Sequence, residues 1–215
     1  MTAPPILAFD TSAAHCAAAL LSGGAVLAMR EEAMATGQAD RLMPLLEEIL
    51  RDAGATWRDL AALGVGTGPG NFTGIRIAVA AARGLALGLT IPAIGVTAFE
   101  ALAWRRDAAL VARDARLGQV HLQAFGPMGF GPLTQPLDAP VPPLPLGTPV
   151  LGDLAEQVAA RAGLPVAAPL APLAEAIARI AATRLGRDNP RPAPLYLRAP
   201  DAAPPRDPAP LILPG

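Results

Sequence analysis

A chain of 215 residues with 52% hydrophobic content and a formal net charge of −1 can bury one large core or two small lobes. It carries too little positive charge to grip RNA or DNA through a broad basic surface. With only 4% aromatic residues the core has to be built from Ala, Leu, Val and Ile, which brings helices close together.

Residues 1–5 lack the basic and apolar segments of a signal peptide, and no later run reaches the ~20 apolar residues of a membrane span, so a cytoplasmic protein with no membrane contact is expected. Residues 6–9 read as a short buried strand, Asp10-Thr11-Ser12 as a polar turn, and residues 16–21 as a second strand. Cys16, the single cysteine, has no partner for an intrachain disulfide and reads as a buried strand thiol. Ser22-Gly23-Gly24 makes a hairpin into a third strand over 25–32. Residues 38–53 place Leu42, Leu45, Leu46, Ile49 and Leu50 at helical spacing, and Gly54 ends the helix.

A strand at 63–65 leads into Gly66-Thr67-Gly68-Pro69-Gly70-Asn71-Phe72-Thr73-Gly74-Ile75-Arg76. Here Gly70 is expected to supply a positive φ, Pro69 fixes its own φ, and Asn71 caps a helix over 72–87. Backbone N–H groups of such a turn can face an anion, yet the Gly-x-x-x-x-Gly-Lys-Ser/Thr phosphate loop is not present. A strand-to-helix turn without a ligand is the other reading.

The second half begins the same pattern again, with a strand at 109–112, the turn Asp114-Ala115-Arg116-Leu117-Gly118 and a strand at 119–125. The first half reads β-β-β-α-β-α, and a duplication would set two such lobes around a cleft with Asp10 and Asp114 on opposite walls. The expected division is an N-terminal lobe over 1–103, a C-terminal lobe over 104–188 and a tail over 189–215. Residues 126–149 are rich in Pro and Gly, and helices resume at 153–162 and 173–185. The tail holds nine prolines in 27 residues, so it should run extended over the surface or lack order, with Pro194-Leu195-Tyr196-Leu197-Arg198 as its best docking segment.

An aspartate at a hairpin mouth in each of two lobes is how ATPases and phosphotransferases of the actin and sugar-kinase type hold Mg²⁺-nucleotide. Asp10, Thr11, Ser12 and Asp114 are therefore candidates for a vestigial nucleotide site, with ATP or ADP and Mg²⁺ as the ligand. Alternatively, Asp10 accepts hydrogen bonds from its own turn, and Arg113 and Arg116 partner Asp114 locally. The two histidines, His15 and His121, form no His-x-x-x-His pair, so no metal site is expected. Ser12, Thr73 and Cys16 have no evident histidine base and there is no Gly-x-Ser-x-Gly elbow. Arg76 and Arg83 lie near one helix face, as anion binders or as solvated charges. The same helix carries Gly74, Ala78, Ala80, Ala81, Ala82, Gly84 and Ala86, small enough for a second helix to approach. Leu42, Leu46, Ile49, Ala82, Arg83 and Ala86 are the expected partner interface; burial inside the monomer is the alternative.

Four segments in order resemble the TsaB family of bacterial tRNA threonylcarbamoyladenosine biosynthesis proteins. They are Ile6-Leu7-Ala8-Phe9-Asp10-Thr11-Ser12; Gly68-Pro69-Gly70-Asn71-Phe72-Thr73-Gly74-Ile75-Arg76-Ile77 with Gly84-Leu85-Ala86-Leu87-Gly88; Asp114-Ala115-Arg116-Leu117-Gly118-Gln119-Val120; and Pro194-Leu195-Tyr196-Leu197-Arg198. Asn71 stands where the family more usually has serine. The resemblance implies the α/β, two-lobed fold of actin, Hsp70 and sugar kinases in a member without catalytic residues. The catalytic relative TsaD carries a His-x-x-x-His metal site, and the corresponding helix here begins Gln38-Ala39-Asp40-Arg41 without histidine. The implied role is a scaffold or activator of TsaD. It would work with the ATPase TsaE and downstream of TsaC, in the transfer of threonylcarbamoyl to the adenosine 3′ of the anticodon in tRNAs reading ANN codons. A heterodimer with TsaD, a homodimer when alone, and only indirect contact with tRNA follow from the same resemblance. A free-standing small-molecule kinase, ATPase or peptidase is the alternative.

Overall fold

The computed structural model describes residues 4–197. Its first sheet is built around β1 (Ile6–Asp10), flanked by β2 (His15–Ser22) and β3 (Ala25–Ala33) on one side and by β4 (Ala62–Gly66) and β5 (Ala93–Val96) on the other, in the order β3-β2-β1-β4-β5. β1, β2 and β3 pair antiparallel, whereas β4 runs parallel to both β1 and β5. Gly23 and Gly24, with φ of 57° and 84°, form the two-residue hairpin turn whose twist matches that of the flanking strands.

Strands buried on both faces need apolar side chains at every position, and β2 shows why the alanines are there. Cys16, Ala18 and Leu20 enter the core beneath α1 (Gln38–Asp52) and α2 (Phe72–Leu89), while Ala17 and Ala19 meet Ala174 on the opposite face. α1 buries Leu42, Leu45, Leu46, Ile49 and Leu50 against Leu7, Phe9 and Leu63, each worth about 1.5–3 kcal/mol of burial. α2 buries Ile75, Ala78, Val79 and Ala82 in that same core. Its 18 residues meet the length and composition of a membrane-crossing helix, although Thr73, Arg76 and Arg83 interrupt its apolar run; here it lies on β4 and is partly buried.

After α3 (Ala98–Leu102) the chain builds a second sheet from β6 (Ala109–Asp114), β7 (Gln119–Phe125), β8 (Phe130–Pro136) and β9 (Val150–Leu151), in the order β8-β7-β6-β9. Antiparallel β6-β7-β8 with a parallel β9 repeats the arrangement β3-β2-β1-β4 of the first sheet, so the duplication is visible in topology. It is abbreviated: among the described residues no helix stands between β8 and β9. Pro140, Pro142, Pro143 and Pro145 fall in that connection, and each lacks the N–H that a helix requires. The second lobe thus runs β-β-β-β-α, ending in α4 (Ala155–Ala162), rather than the full β-β-β-α-β-α order expected.

The grouping of all of residues 104–188 into one lobe also needs amending. α5 (Leu173–Arg184), grouped with the second lobe by its place in the chain, packs on β1, β2 and β4 of the first sheet. Its small residues permit this. A Cβ on Gly64 would sit 3.2 Å from Ala181 Cβ and from Ile177 Cγ2, so sheet and helix approach through glycine and alanine. The lobes meet through Phe99 and Ala103 on one side and Ala109, Val111 and Leu151 on the other, with Leu195 and Leu197 of the tail packed against that cluster. Of the proposed docking segment, Arg198 lies outside the described residues, as does the tail beyond it.

Candidate functional site: the interlobe cleft and the Asp-Thr-Ser turn

A cleft of about 840 Å³ opens between the lobes. Ser12, Pro69 to Phe72 and Ile75 line its first-lobe wall, Arg113 to Arg116, His121 and Asp153 its second-lobe wall, and Leu195, Tyr196 and Leu197 a third side. Asp10 is not on the wall. It is only 1% exposed, behind Ser12, so the expected pair of aspartates facing each other across the cleft is not formed; Asp114 alone lines it.

The position of Asp10 follows from where β1 ends and β2 begins. Its Oδ1 accepts from the Ser12 backbone N–H and from Ser12 Oγ, both at 2.9 Å, and lies 2.7 Å from His15 Nε2. Oδ2 is buried without a hydrogen-bond partner and rests on Gly66, where a Cβ would come within 1.8 Å of it. Burial by itself would lower the His15 pKa, but the hydrogen bond to Asp10 and the charges of Asp10 and Glu31 outweigh it, against an opposing effect of Arg113, and the pKa lies above 6.5. Ser12 and His15 both address the same carboxylate oxygen, so the aspartate stands between hydroxyl and imidazole. A Ser-His-Asp relay needs the imidazole in the middle.

The glycine-rich turn is shaped by this buried aspartate turn. A Cβ at Gly74 would stand 1.8 Å from the Thr11 carbonyl oxygen, and one at Gly70 2.2 Å from that of Ser12. Thr11 Oγ1 donates to the Gly74 carbonyl at 2.6 Å, and Asn71 N–H donates to the Ser12 carbonyl at 2.6 Å. Asn71 caps α2 as the sequence predicts, its Oδ1 accepting from the N–H groups of Thr73 and Gly74 at 3.0 Å each. The positive φ falls on Gly68, at 85°, and not on Gly70, whose lack of a side chain answers to the close Ser12 carbonyl instead. With the N–H groups of Asn71, Thr73 and Gly74 committed inside the protein, these donors cannot cradle an anion unless the cap is displaced.

On the second wall Asp114 is exposed and accepts from the Arg116 N–H at 2.7 Å, the local partnership expected. Arg113 turns instead toward Asp153, with Nε 2.8 Å from Oδ2. Arg76 is exposed but also held within the chain. Its guanidinium lies 3.7 Å from the Phe72 ring centroid and its Nε donates to Tyr196 Oη at 2.7 Å. Arg83 is exposed.

The expected interface is largely turned inward. Leu42, Leu46, Ile49 and Ala82 are buried in the first-lobe core and Ala86 packs partly against it, because the apolar side of each helix covers the sheet. What α2 presents outward is Thr73, Arg76, Ala80, Arg83, Gly84, Leu87 and Gly88, with Leu87 83% exposed. His15 is the residue that sequence reading missed. The antiparallel pairing of β1 with β2, which sets Asp10 opposite Ala17, was the signal that could have placed it beside Asp10.

Two sheets of matching strand order, with an aspartate turn at the end of the first strand and a cleft between the lobes, define a two-lobed protein of the actin, Hsp70 and sugar-kinase fold. A family model described as TsaD, tRNA N6-adenosine threonylcarbamoyltransferase, matches residues 32–127. The tRNA threonylcarbamoyladenosine biosynthesis protein TsaB of Escherichia coli is 41% identical over 122 residues, which cover 54% of this chain and 52% of that protein. The chain therefore spans about half the length of the curated TsaB relatives it matches. An uncharacterised protein of Mycobacterium tuberculosis is 36% identical over 205 residues, covering 93% of this chain and 94% of its own. The structure of YeaZ from Pseudomonas aeruginosa superposes with a TM-score of 0.74 at 29% identity, over 90% of this chain and 99% of that one. The chain is thus similar to the TsaB family over about half the length of its named members.

Proposed function

We propose that this protein is a non-catalytic subunit that holds TsaD in an active form, and so takes part in placing threonylcarbamoyl on tRNA adenosine in the cytoplasm. The observation that carries this reading is the Asp10-Thr11-Ser12 turn: its hydroxyls and carboxylate are buried, and their hydrogen bonds are directed into the first lobe. In an active member of this fold such groups would face nucleotide and Mg²⁺ in the cleft. Similarity to relatives named for threonylcarbamoyladenosine biosynthesis in tRNA supports the pathway.

The partner surface in this reading is the outward side of α2, not the inward residues first expected. Gly84 and Gly88 have no atom within 4 Å of the place a Cβ would take, and Leu87 stands exposed between them. A stripe of small residues with one large apolar side chain suits close packing of a partner helix. The partner is TsaD as a heterodimer, with a second copy of this chain when TsaD is lacking, TsaE joining the assembly, and tRNA reading ANN codons engaged through it. Calorimetry of the isolated protein with ATP and Mg²⁺ tests the non-catalytic part. No heat of micromolar binding is expected; micromolar binding abolished by Asp10→Asn would overturn it.

A further inference from the structure

We propose that residues 192–197 form a strap that closes one side of the interlobe cleft and couples its opening to the outward face of α2. The segment touches both lobes. Leu195 N–H donates to the Thr67 carbonyl at 2.8 Å, at the start of the glycine-rich turn. The Leu197 carbonyl accepts from Thr134 Oγ1 on β8 at 3.4 Å, and that hydroxyl lies 2.7 Å from His121 Nδ1 on β7. Leu195 and Leu197 pack on the apolar cluster through which the lobes meet, while Tyr196 points the other way. The Tyr196 ring rests 4.8 Å from the Phe72 ring at an interplanar angle of 33°, and its hydroxyl accepts from Arg76 Nε.

Three successive residues thus join the second lobe, the interlobe cluster and the first turn of α2. Because Leu195, Tyr196 and Leu197 also line the cleft, a molecule bound on their side touches them, and one too large for the space lifts them. Lifting them uncovers Phe72 and releases Arg76, which belongs to the outward stripe of α2. Coupling of this kind is reciprocal: whatever draws Arg76 away from Tyr196 loosens the same side of the cleft. The strap is a contact within this chain and stands whether or not α2 receives a partner.

Tyr196 is the single tyrosine of the chain, so 3-fluorotyrosine labelling gives one ¹⁹F resonance that reports the docked ring. The full-length protein should show a docked resonance and a protected Leu195 amide. Thr134→Val removes the far-lobe anchor together with its contact to His121, and Arg76→Ala removes the near anchor. Each should move the resonance toward the free amino acid and speed Leu195 amide exchange about tenfold, the loss of roughly one hydrogen bond, with the thermal melt nearly unchanged. Tyr196→Phe, the mildest change, should speed the same amide in unlabelled protein. The proposal is overturned if Thr134→Val leaves the resonance in place while Arg76→Ala moves it, since the ends are then uncoupled. It is overturned equally if neither variant moves it, or if the amide accelerates only in step with global unfolding.

Discussion

Gly74 separates two explanations that a glycine in a turn always leaves open, conformational freedom and close approach. Its φ is not positive, and a Cβ there would collide with the Thr11 carbonyl oxygen at 1.8 Å. Gly74→Ala should therefore destabilise the protein by about 2–4 kcal/mol in chemical denaturation, a backbone clash with no flexible side chain to yield. Gly84→Ala, with open space around it, should be neutral or stabilising by up to about 1 kcal/mol. His15 makes the second prediction. Its folded pKa is raised, so its contribution to stability is complete below about pH 6.5 and is lost as pH rises through the folded value. Denaturation midpoints measured across that window should fall with pH in the wild type, and His15→Gln should flatten that part of the profile. A wild-type slope of the opposite sign would mean that burial outweighs Asp10.

The helices show what periodicity can and cannot reveal. Asn71 as a cap and the apolar spacing of α1 were legible because each is a local signal with one physical meaning. The buried side of α2 was not, since Ala78, Ala80, Ala82 and Gly84 are all small and only contact with β4 distinguishes them. Short elements were missed for a related reason: β5, α3 and β9 span 4, 5 and 2 residues, too few to show a period. β8 was obscured by Pro132 and Pro136, residues that donate nothing to a strand ladder and read as loop in a Pro- and Gly-rich stretch. The inverted face gives a paired test. Ala82→Arg would bury an unpaired guanidinium in the core and should lower the melting temperature or abolish folding, whereas Gly84→Arg should leave the melt unchanged. Equal melts for the two would mean that the helix is rotated from the position described.

Assembly of the lobes was the least legible level, because it depends on contacts distant in sequence. The repeated strand-turn-strand pattern announced the duplication, but nothing local announces that α5 returns to the first sheet or that Leu195 and Leu197 pack where the lobes meet. The cleft was foreseen, as was the alternative in which Asp10 accepts hydrogen bonds from its own turn; its burial was not, since that depends on Ser12, His15 and Gly66 closing around it. A protein that acts through its surface rather than through this turn should tolerate a change at Asp10 and fail on a change at α2. The decisive measurement is the rate of threonylcarbamoyl transfer to tRNA in a reconstituted set containing TsaC, TsaD and TsaE, supplied in turn with wild-type protein, Asp10→Asn and Gly84→Arg. Asp10→Asn keeps an Oδ1 acceptor for Ser12 and should sustain nearly the wild-type rate. Gly84→Arg, folded but sterically blocked, should weaken association with TsaD about 100-fold or more and remove activity at limiting concentrations. A folded Asp10→Asn protein that supports no transfer, or a Gly84→Arg protein that supports it fully, would contradict the scaffold reading.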